Sequence, residues 1–162
     1  MTAGDSEHDE KQRMHVIVAV DGSQVARDAL DRALDVADGL DGAVTVVHSV
    51  DPAVYDAIEA EPVGDRSEAE RRDLVESIED AERRGEELLR SAAAHAEERG
   101  VAVETALLYG DPVATVLDYV ADHDADAVYV GHRNLPEPYE RVLGSVAKGI
   151  LEGASVPVTV VR

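Results

Sequence analysis

Short apolar runs are spaced along the chain and predict β-strands. Most of these runs are not interrupted by polar residues, which is typical of parallel strands that are buried on both faces. Pro157 in the last run cannot donate a hydrogen bond to a neighbouring strand, so this strand is expected at an edge of the sheet or with its donors facing outward. The predicted strands cover residues 15–20, 43–50, 101–108, 127–131 and 156–161.

Between the predicted strands, apolar residues recur every three or four positions, which indicates amphipathic helices. Ser23 is a suitable N-cap for the first helix, and Asp111 followed by Pro112 is a strong start signal for another. Gly85 lies on the apolar stripe of the longest predicted helix, where it either allows close approach to the sheet or breaks the helix. The predicted helices begin after Ser23, at residue 67, after Asp111 and at residue 144, and Gly39 and Gly42 are expected to end the first.

The alternation of strands and helices predicts an α/β fold of Rossmann-like type. An open parallel sheet would carry helices on both faces, joined by right-handed crossovers. At roughly 100–200 residues per domain, residues 14–162 form one domain. Residues 1–13 show no hydrophobic periodicity and are expected to be a disordered acidic tail. The connection at 51–65 is long and acidic, so it is expected to be mobile or to act as a lid.

The composition narrows the classes of protein that fit this fold. The chain has 162 residues, with no Phe, no Trp and five Tyr, so its core must be built from aliphatic side chains. It carries 35 acidic and 15 basic residues, and a formal charge of -20 argues against binding to nucleic acids or anionic membranes. With 0 Cys, disulfides, thiolate metal sites and a cysteine nucleophile are excluded. No apolar run reaches the ~18 residues of a membrane span, and a cytoplasmic protein is expected.

The acidic residues are spread along the whole chain, and most of the basic residues are Arg. Such a charge destabilises a small fold in dilute buffer through repulsion. It keeps the protein soluble in strong salt, where screening makes that repulsion short-ranged. We therefore hypothesise that the protein works in a halophilic cytoplasm. An acidic mesophilic protein is the alternative interpretation.

Candidate chemistry lies where two predicted strands end, because ligands of open parallel sheets bind beyond the carboxyl ends of the strands. Asp21 follows the first strand and is placed to accept hydrogen bonds from a ribose. Gly131 ends the fourth strand, and its loop can turn backbone amides inward as an anion-binding nest. Gly144 and Ser145 open a helix, which offers free amides and the positive end of the helix dipole. Together these features predict a phosphate cradle, to which Arg133 and Arg141 could add charge.

Several of these residues also have ordinary structural interpretations. Asp21 can be a simple turn residue, and Gly144 can merely begin a helix. His132 is expected to be a solvent-facing loop residue, and His48 a core histidine with its hydrogen bonds satisfied. An acidic cluster before the fourth strand suggests a metal site, but a solvated acidic turn is favoured there because no EF-hand spacing follows. That cluster consists of Asp122, His123, Asp124 and Asp126.

From residue 14 to 162 the chain resembles the universal stress protein family. The resemblance rests on Val-Ala-Val-Asp-Gly-Ser at 18–23, Gly-Asp-Pro at 110–112 and the closing stretch 131–162. Nucleotide-binding members carry Gly, two residues, Gly, nine residues and then Gly-Ser or Gly-Thr. Gly131, Asn134, Gly144 and Ser145 fall at that spacing, with Asn134 in place of the second glycine.

The resemblance implies a stress-response protein that binds ATP or AMP, and the lack of catalytic motifs in the sequence favours a binding module over an enzyme. It also implies the strand order 3-2-1-4-5, an adenine nucleotide alpha hydrolase-like fold, and a homodimer that forms through the strand from Val156 to Val161. Asp21 would contact the ribose or adenine, and Val46 or Val47 would face the adenine. The remaining implied contacts to ribose and phosphates are Ala19, Val130, Gly131, Arg133, Asn134, Gly144, Ser145 and Val146.

The loop after the fourth strand departs from the family pattern. Pro136 and Pro138 make it stiffer, while Glu137 and Glu140 would repel a triphosphate unless Mg²⁺ or Arg141 compensates. AMP, or weak binding, is therefore an alternative to ATP. The sequence contains no Gly-x-Ser-x-Gly elbow and no P-loop, so any ATP hydrolysis is expected to be slow. A ligand-free dimeric scaffold of the same fold remains a second hypothesis, and a nucleotidyl-transfer enzyme a third.

Overall fold

The computed structural model describes residues 13–51, 68–132 and 144–162, with side chains of the second helix described from residue 78. The chain alternates strictly between strands and helices. All strand pairs are parallel, and the strand order is 3-2-1-4-5, which confirms the predicted fold class. The elements are β1 (His15–Ala19), α1 (Gln24–Leu40), β2 (Ala43–Val50), α2 (Glu68–Glu98), β3 (Val103–Tyr109), α3 (Pro112–Asp122), β4 (Ala127–Gly131), α4 (Ser145–Gly153) and β5 (Val158–Val161).

Each face of the sheet has its own aliphatic core. Residues of α1 and α2 pack on one face with Val16, Val18 and Val46, whereas α3 and α4 cover the other face with Val47 and Val128. The unbroken apolar runs of the central strands arise because alternate side chains enter opposite cores, both of which are hydrophobic.

Gly85 serves as a close-contact point and does not break α2. A Cβ atom at Gly85 would lie 2.8 Å from Cδ1 of Leu107 and 2.9 Å from Cδ2 of His48. The glycine therefore lets the long helix lie directly on β2 and β3, as one of the two sequence interpretations predicted.

Several predicted boundaries were wrong, and β3 begins at Val103 instead of at residue 101. The helix α1 continues through Gly39, and it ends where Asp41 adopts the left-handed conformation with φ 51°. The strand β5 begins at Val158, two residues later than predicted, because Pro157 precedes it and contributes only its carbonyl, which accepts from the amide of Val128 at 3.0 Å. The predicted edge position of β5 is confirmed.

The strand order places a crevice at the carboxyl ends of β1 and β4. From β1 the chain crosses to β2 over one face of the sheet, and from β4 it crosses to β5 over the other. The two connections therefore diverge and leave space between the strand ends, which is where ligands of such sheets bind.

Predictions for two segments fall largely outside the described residues. Residues 1–12 of the predicted tail and residues 52–65 of the predicted lid are not described. At the end of the predicted tail, Arg13 is held to the domain, since its Nε donates to the carbonyl of Asp41 at 3.0 Å. Within the described ranges, no helix has the length and apolar character needed to cross a membrane.

Candidate functional site

A cavity of about 200 Å³ lies at this crevice. Its walls come from the ends of β1, β2 and β4, the start of α1, and the first turns of α3 and α4. Ala19, Asp21, Val130 and Gly131, which sequence reasoning selected at the ends of β1 and β4, all line it. The fold thus brings together residues that are more than a hundred positions apart in the chain.

The turn after β1 gives Asp21 both a structural role and a position on the cavity. Its Oδ1 accepts from the amide of Ser23 at 2.9 Å and from the Ser23 hydroxyl at 2.5 Å. Ser23 in turn accepts from the amide of Ala26 at 3.2 Å, so the predicted N-cap of α1 is confirmed. Of the two carboxylate oxygens, Oδ2 has no hydrogen-bond partner among the described residues and remains available to a ligand.

At the end of β4, Gly131 lies against the backbone of α1. A Cβ atom there would lie 2.8 Å from the amide nitrogen of Ala26 and 2.8 Å from the carbonyl carbon of Val25. The absence of a side chain at Gly131 is therefore required by packing, whether or not a ligand binds. The prediction for His132 was wrong: it is buried with 3% exposure, and its amide donates to the carbonyl of Val161 at 2.6 Å.

The first turn of α4 presents backbone amides that no side chain of the described residues caps. Gly144 is the N-cap and makes no side-chain hydrogen bond, and the helix begins at Ser145. Gly144, Ser145, Val146 and Ala147 all line the cavity, so the amides at the positive end of this helix lie beside it. Gly144 has φ -57°, a value that any residue can adopt, so its backbone does not require glycine.

The end of β2 contributes one of the two valines predicted to face adenine. Val47 lines the cavity, whereas Val46 is fully buried in the core beneath α1 and α2. The carbonyl of Val47 accepts from the amide of Val20 at 3.0 Å. Because alternate residues of a strand direct their backbone groups to the same neighbour, the amide and carbonyl of Ser49 face the same side, beyond the last residue of β1.

Sequence reasoning missed the contributions of α3 and of the residues after Val47. Pro112 and Val116 form an apolar wall of the cavity, and Asp111 caps α3 as predicted by accepting from the amide of Ala114 at 3.0 Å. His48 and Ser49 also line the cavity. The period-two alternation of strand side chains, applied to the run 43–50, would have placed Ser49 on the same face as Val47.

His48 is hydrogen-bonded as predicted. Its Nδ1 lies 2.7 Å from the carbonyl of Val20, and since a carbonyl only accepts, Nδ1 carries the proton of the neutral ring. His48 thereby ties the end of β2 to the residue that precedes Asp21. Its ring lies on the α2 side of the sheet, against Gly85.

A larger open hollow of about 600 Å³ adjoins the cavity on the α2 side of Asp21. Its charged lining consists of the carboxylates of Asp21, Asp51 and Glu87 and the guanidinium of Arg84. Among the described residues that line the hollow, acidic groups outnumber basic ones and none belongs to a helix N-terminus. An anionic group is therefore better accommodated in the smaller cavity beside α4.

Two predicted phosphate contacts, Arg133 and Asn134, lie outside the described residues, together with Arg141 and the rest of the loop 133–143.

The acidic turn before β4 has structural contacts: Asp126 accepts from the amide of His15 at 2.8 Å, and His123 stacks on Tyr119 with ring centroids 3.8 Å apart. In the described ranges, no group of three or more His, Asp or Glu side chains is arranged to hold a metal ion.

Comparison with known proteins adds independent support to this geometry. The model of the "Universal stress protein family" matches residues 12–162, a range that contains every residue that the structure describes. The chain belongs to the universal stress protein family. The family assignment agrees with the sheet order and with the cavity at the crevice between β1 and β4.

Individual universal stress proteins match over most of their length. One from Methanocaldococcus jannaschii is 27% identical over 147 residues, which cover 91% of this chain and 81% of that protein. The structure of UspA from Lactobacillus plantarum superposes with a TM-score of 0.73 at 21% identity, covering 92% of this chain and 97% of that one. The structure of a universal stress protein from Archaeoglobus fulgidus in complex with dAMP is 28% identical, with a TM-score of 0.62 and coverage of 92% and 98%.

Proposed function

We propose that this universal stress protein binds an adenine nucleotide, AMP or ATP, in the cavity at the ends of β1 and β4. The observation that carries the proposal is that the uncapped first turn of α4 and the end of β4 line one cavity. Amides at a helix N-terminus bind phosphate well, because they are unpaired donors at the positive end of the helix dipole. The dAMP complex of the Archaeoglobus fulgidus relative supports the same class of ligand.

The chemical character of the walls suggests how the nucleotide would lie. The phosphates would lie at Gly144, Ser145 and Val146, and the ribose hydroxyls would donate to the free oxygen of Asp21. The base would lie toward the apolar wall of α3 and the backbone of β2, between Pro112 and Val47. This arrangement matches polar walls to the polar parts of the ligand and apolar walls to the base.

Arg133 and Asn134 remain predicted phosphate contacts, and the number of phosphates is part of the proposal. If ATP binds, its phosphates would be repelled by the carboxylates of Glu137 and Glu140, and Mg²⁺ or Arg141 would be needed to offset this repulsion. With AMP, the demand for positive charge is smaller. Native mass spectrometry of the purified protein, with and without Mg²⁺, measures which nucleotide is retained.

A matched pair of variants tests the site. Gly144→Val places a branched side chain where the phosphate amides meet the cavity, and Gly39→Val makes the same change on an exposed position of α1 with open space around it. In molar KCl, calorimetry should show a loss of AMP and ATP affinity for the first variant and Asp21→Ala, and wild-type affinity for the second. Equal affinities in all four proteins would contradict the site, and absence of binding in the wild type would favour a ligand-free scaffold.

We also propose that the protein acts by binding and not by catalysis, in a cytoplasmic regulatory role whose protein partner is unknown. Among the described residues, the cavity lining contains one carboxylate and one histidine, Asp21 and His48, and Nδ1 of that histidine donates to a backbone carbonyl. Release of inorganic phosphate from ATP and Mg²⁺ should be slow, because none of the described side chains that line the cavity is a hydroxyl nucleophile hydrogen-bonded to a general base. Rapid turnover would contradict this part of the proposal.

A homodimer through β5 is the proposed assembly. Pro157 and Val161 direct their carbonyls to β4, so by alternation Val158 and Val160 direct their backbone groups to the free edge. Pairing with the same strand of a second copy would cover this edge. Light scattering in high salt should report a dimer for the wild type and a monomer for Val160→Pro, which removes an outward donor. A monomeric wild type would contradict the proposed dimer.

We also propose that the protein functions in a halophilic cytoplasm, at high salt concentration. A formal charge of -20 on 162 residues produces self-repulsion that salt screens over about 3 Å at 1 M. Thermal melting in graded KCl should show rising stability up to molar concentration. Stability that is independent of KCl would favour the acidic mesophilic alternative.

A further inference from the structure

Ser49 and Thr115 form a hydrogen-bonded pair beside the cavity. Ser49 lies near the end of β2 on the face covered by α3, and its Oγ lies 2.7 Å from Oγ1 of Thr115 in the first turns of that helix. Either hydroxyl can be the donor in such a pair. The other neighbours of Thr115 decide which one it is.

Thr115 has one proton and two carbonyl neighbours. Its Oγ1 lies 2.9 Å from the carbonyl oxygen of Asp111 and 3.3 Å from that of Pro112. If Thr115 donated to Ser49, its lone pairs would face the Asp111 carbonyl at 2.9 Å with no proton between the oxygens. The arrangement that satisfies every atom has Thr115 donating to Asp111 and Ser49 donating to Thr115.

This direction leaves the Ser49 hydroxyl as an acceptor only. Its single proton is directed to α3, so Oγ offers lone pairs to any polar ligand group that approaches it from the cavity. We infer that Ser49, held by Thr115, is a specificity-determining residue that selects a 6-amino purine over a 6-oxo purine. This inference rests on the proposed nucleotide site and names the base that the site prefers.

The backbone of β2 cannot make this distinction by itself. Ser49 directs one amide donor and one carbonyl acceptor toward the space beyond β1. Adenine offers an acceptor at N1 and a donor at its 6-amino group, and hypoxanthine offers a donor at N1 and an acceptor at its 6-oxo group. Adenine and hypoxanthine can each form two hydrogen bonds with this amide and carbonyl, because turning the ring over exchanges the positions of N1 and the 6-substituent. A third group that can only accept is therefore needed to distinguish the two bases.

AMP and IMP are the probes that test this inference, because they share ribose and phosphate and differ in the purine edge. Calorimetry of the wild type in molar KCl should show AMP bound about tenfold more tightly than IMP, since an acceptor facing an acceptor leaves both unpaired. Ser49→Ala should reduce this preference to about threefold or less, because only the acceptor is removed. Thermal melting confirms that each variant is folded.

Thr115→Val keeps the shape of residue 115 but frees the Ser49 proton, which can then donate to a 6-oxo group. The AMP preference should fall through a gain in IMP affinity, and Thr115→Ser should restore the wild-type ratio. A merely structural role for Thr115 would change both affinities together and leave their ratio unchanged. Thr105→Val, on the exposed face of β3, is the matched control and should keep the wild-type ratio.

The outcomes separate this inference from the proposed function. Equal affinities of the wild type for AMP and IMP overturn the inference and leave nucleotide binding standing. A wild-type preference that persists in both Ser49→Ala and Thr115→Val also overturns it, because the selection then comes from elsewhere. Failure of the wild type to bind either nucleotide overturns the proposed function, and the inference with it. If Thr115→Val does not fold, the ratio measured for Ser49→Ala decides.

Discussion

The N-termini of α1 and α4 lie close to the same crevice, but they differ in how their first-turn amides are capped. The first turn of α1 is closed by its own side chains, since Ser23 accepts from the amide of Ala26 and Asp21 holds Ser23. The first turn of α4 begins at Gly144, which has no side chain to accept from the amides behind it. Both helices are amphipathic and each packs on one face of the sheet, so packing does not require the difference.

The contrast separates a stabilising helix start from one that is available to a ligand. A cap satisfies donors that would otherwise be unpaired, and it contributes to stability whether or not a ligand is bound. An uncapped start that faces a cavity leaves these donors to an external acceptor. The start of α3 is of the stabilising kind, because Asp111 caps its first turn even though Pro112 lines the cavity.

The largest expected effect comes from converting α4 to the pattern of α3. Gly144→Asp supplies a carboxylate that caps the first turn and repels phosphate. AMP affinity should fall by about 100-fold, because like charges brought together at a binding site cost several kcal/mol. Calorimetry in molar KCl measures the loss.

Gly39→Asp is the control for that variant, since it adds the same charge at an exposed position of α1. It should bind AMP with nearly wild-type affinity. If Gly144→Asp also binds normally, the amides of α4 do not hold the phosphate, and the contrast between the two helix starts has no bearing on ligand binding.

A second effect concerns the electrostatic field that the net charge of the chain produces around α4. The chain has a formal charge of -20, which repels a nucleotide at long range, while the α4 amides attract it only locally. Raising KCl from about 0.1 M to 1 M shortens the Debye length from about 10 Å to about 3 Å, so AMP affinity should rise, by roughly tenfold. Titrations at several KCl concentrations measure this, and a falling affinity would show that local attraction dominates.

The closed helix start predicts an effect on stability. Ser23→Ala removes the acceptor for the Ala26 amide and should cost about 1 kcal/mol of unfolding free energy, or a fall of about 3 °C in Tm. AMP affinity should change much less than in Gly144→Asp. Ser155→Ala, at an exposed bend, is the matched control and should melt like the wild type. An equal loss of stability in both variants would show that Ser23 has no specific capping role.

The smallest effect is expected at the contact between α1 and α2, far from the crevice. Asp31 there accepts from His95 at 2.5 Å and from Arg99 at 3.0 Å, and Arg99 also pairs with Asp35. Partial burial acts to raise the pKa of Asp31, but the hydrogen bonds from His95 and Arg99 outweigh it and hold the pKa below its usual value of 3.8. A lowered pKa in the folded state contributes stability above the unfolded pKa, and this contribution is lost as pH falls through the folded value.

Asp31→Asn should therefore lower the urea midpoint at pH 7, and its difference from the wild type should shrink below about pH 4. Solvent screening of this partly exposed network keeps the expected effect below about 1 kcal/mol. Asp38→Asn, at an exposed position of the same helix, is the control. A difference that stays constant with pH would mean that the Asp31 charge does not contribute through these pairs.

Much of the fold could be predicted from the sequence, because its signals are local. Short apolar runs, most of them uninterrupted, marked the strands, and Ser23 and Asp111 marked two helix starts that the structure confirms. The errors came where a neighbour in space decided the outcome. Asp41 and not Gly39 ends α1, and His132 is buried because its backbone pairs with Val161, which lies far along the chain.

The candidate site was predictable only in part, for the same reason. Asp21, Gly131 and Gly144 could be selected because the residues at strand ends and helix starts are visible in the sequence. Alternation along β2 could have placed Ser49 on the face of Val47. The pairing of Ser49 with Thr115 could not be predicted, because it depends on a contact between β2 and α3 and on the direction of one proton.

The sequence by itself determined the order of the elements, the aliphatic character of both cores and the strong negative charge. These follow from residue type and spacing, which act within a few positions of the chain. Only the tertiary structure decided which strand ends meet, which valine faces the cavity and which helix start is left open to it. Those outcomes depend on the side of the sheet that each connection takes, and that choice is settled by burying both faces of the sheet at once.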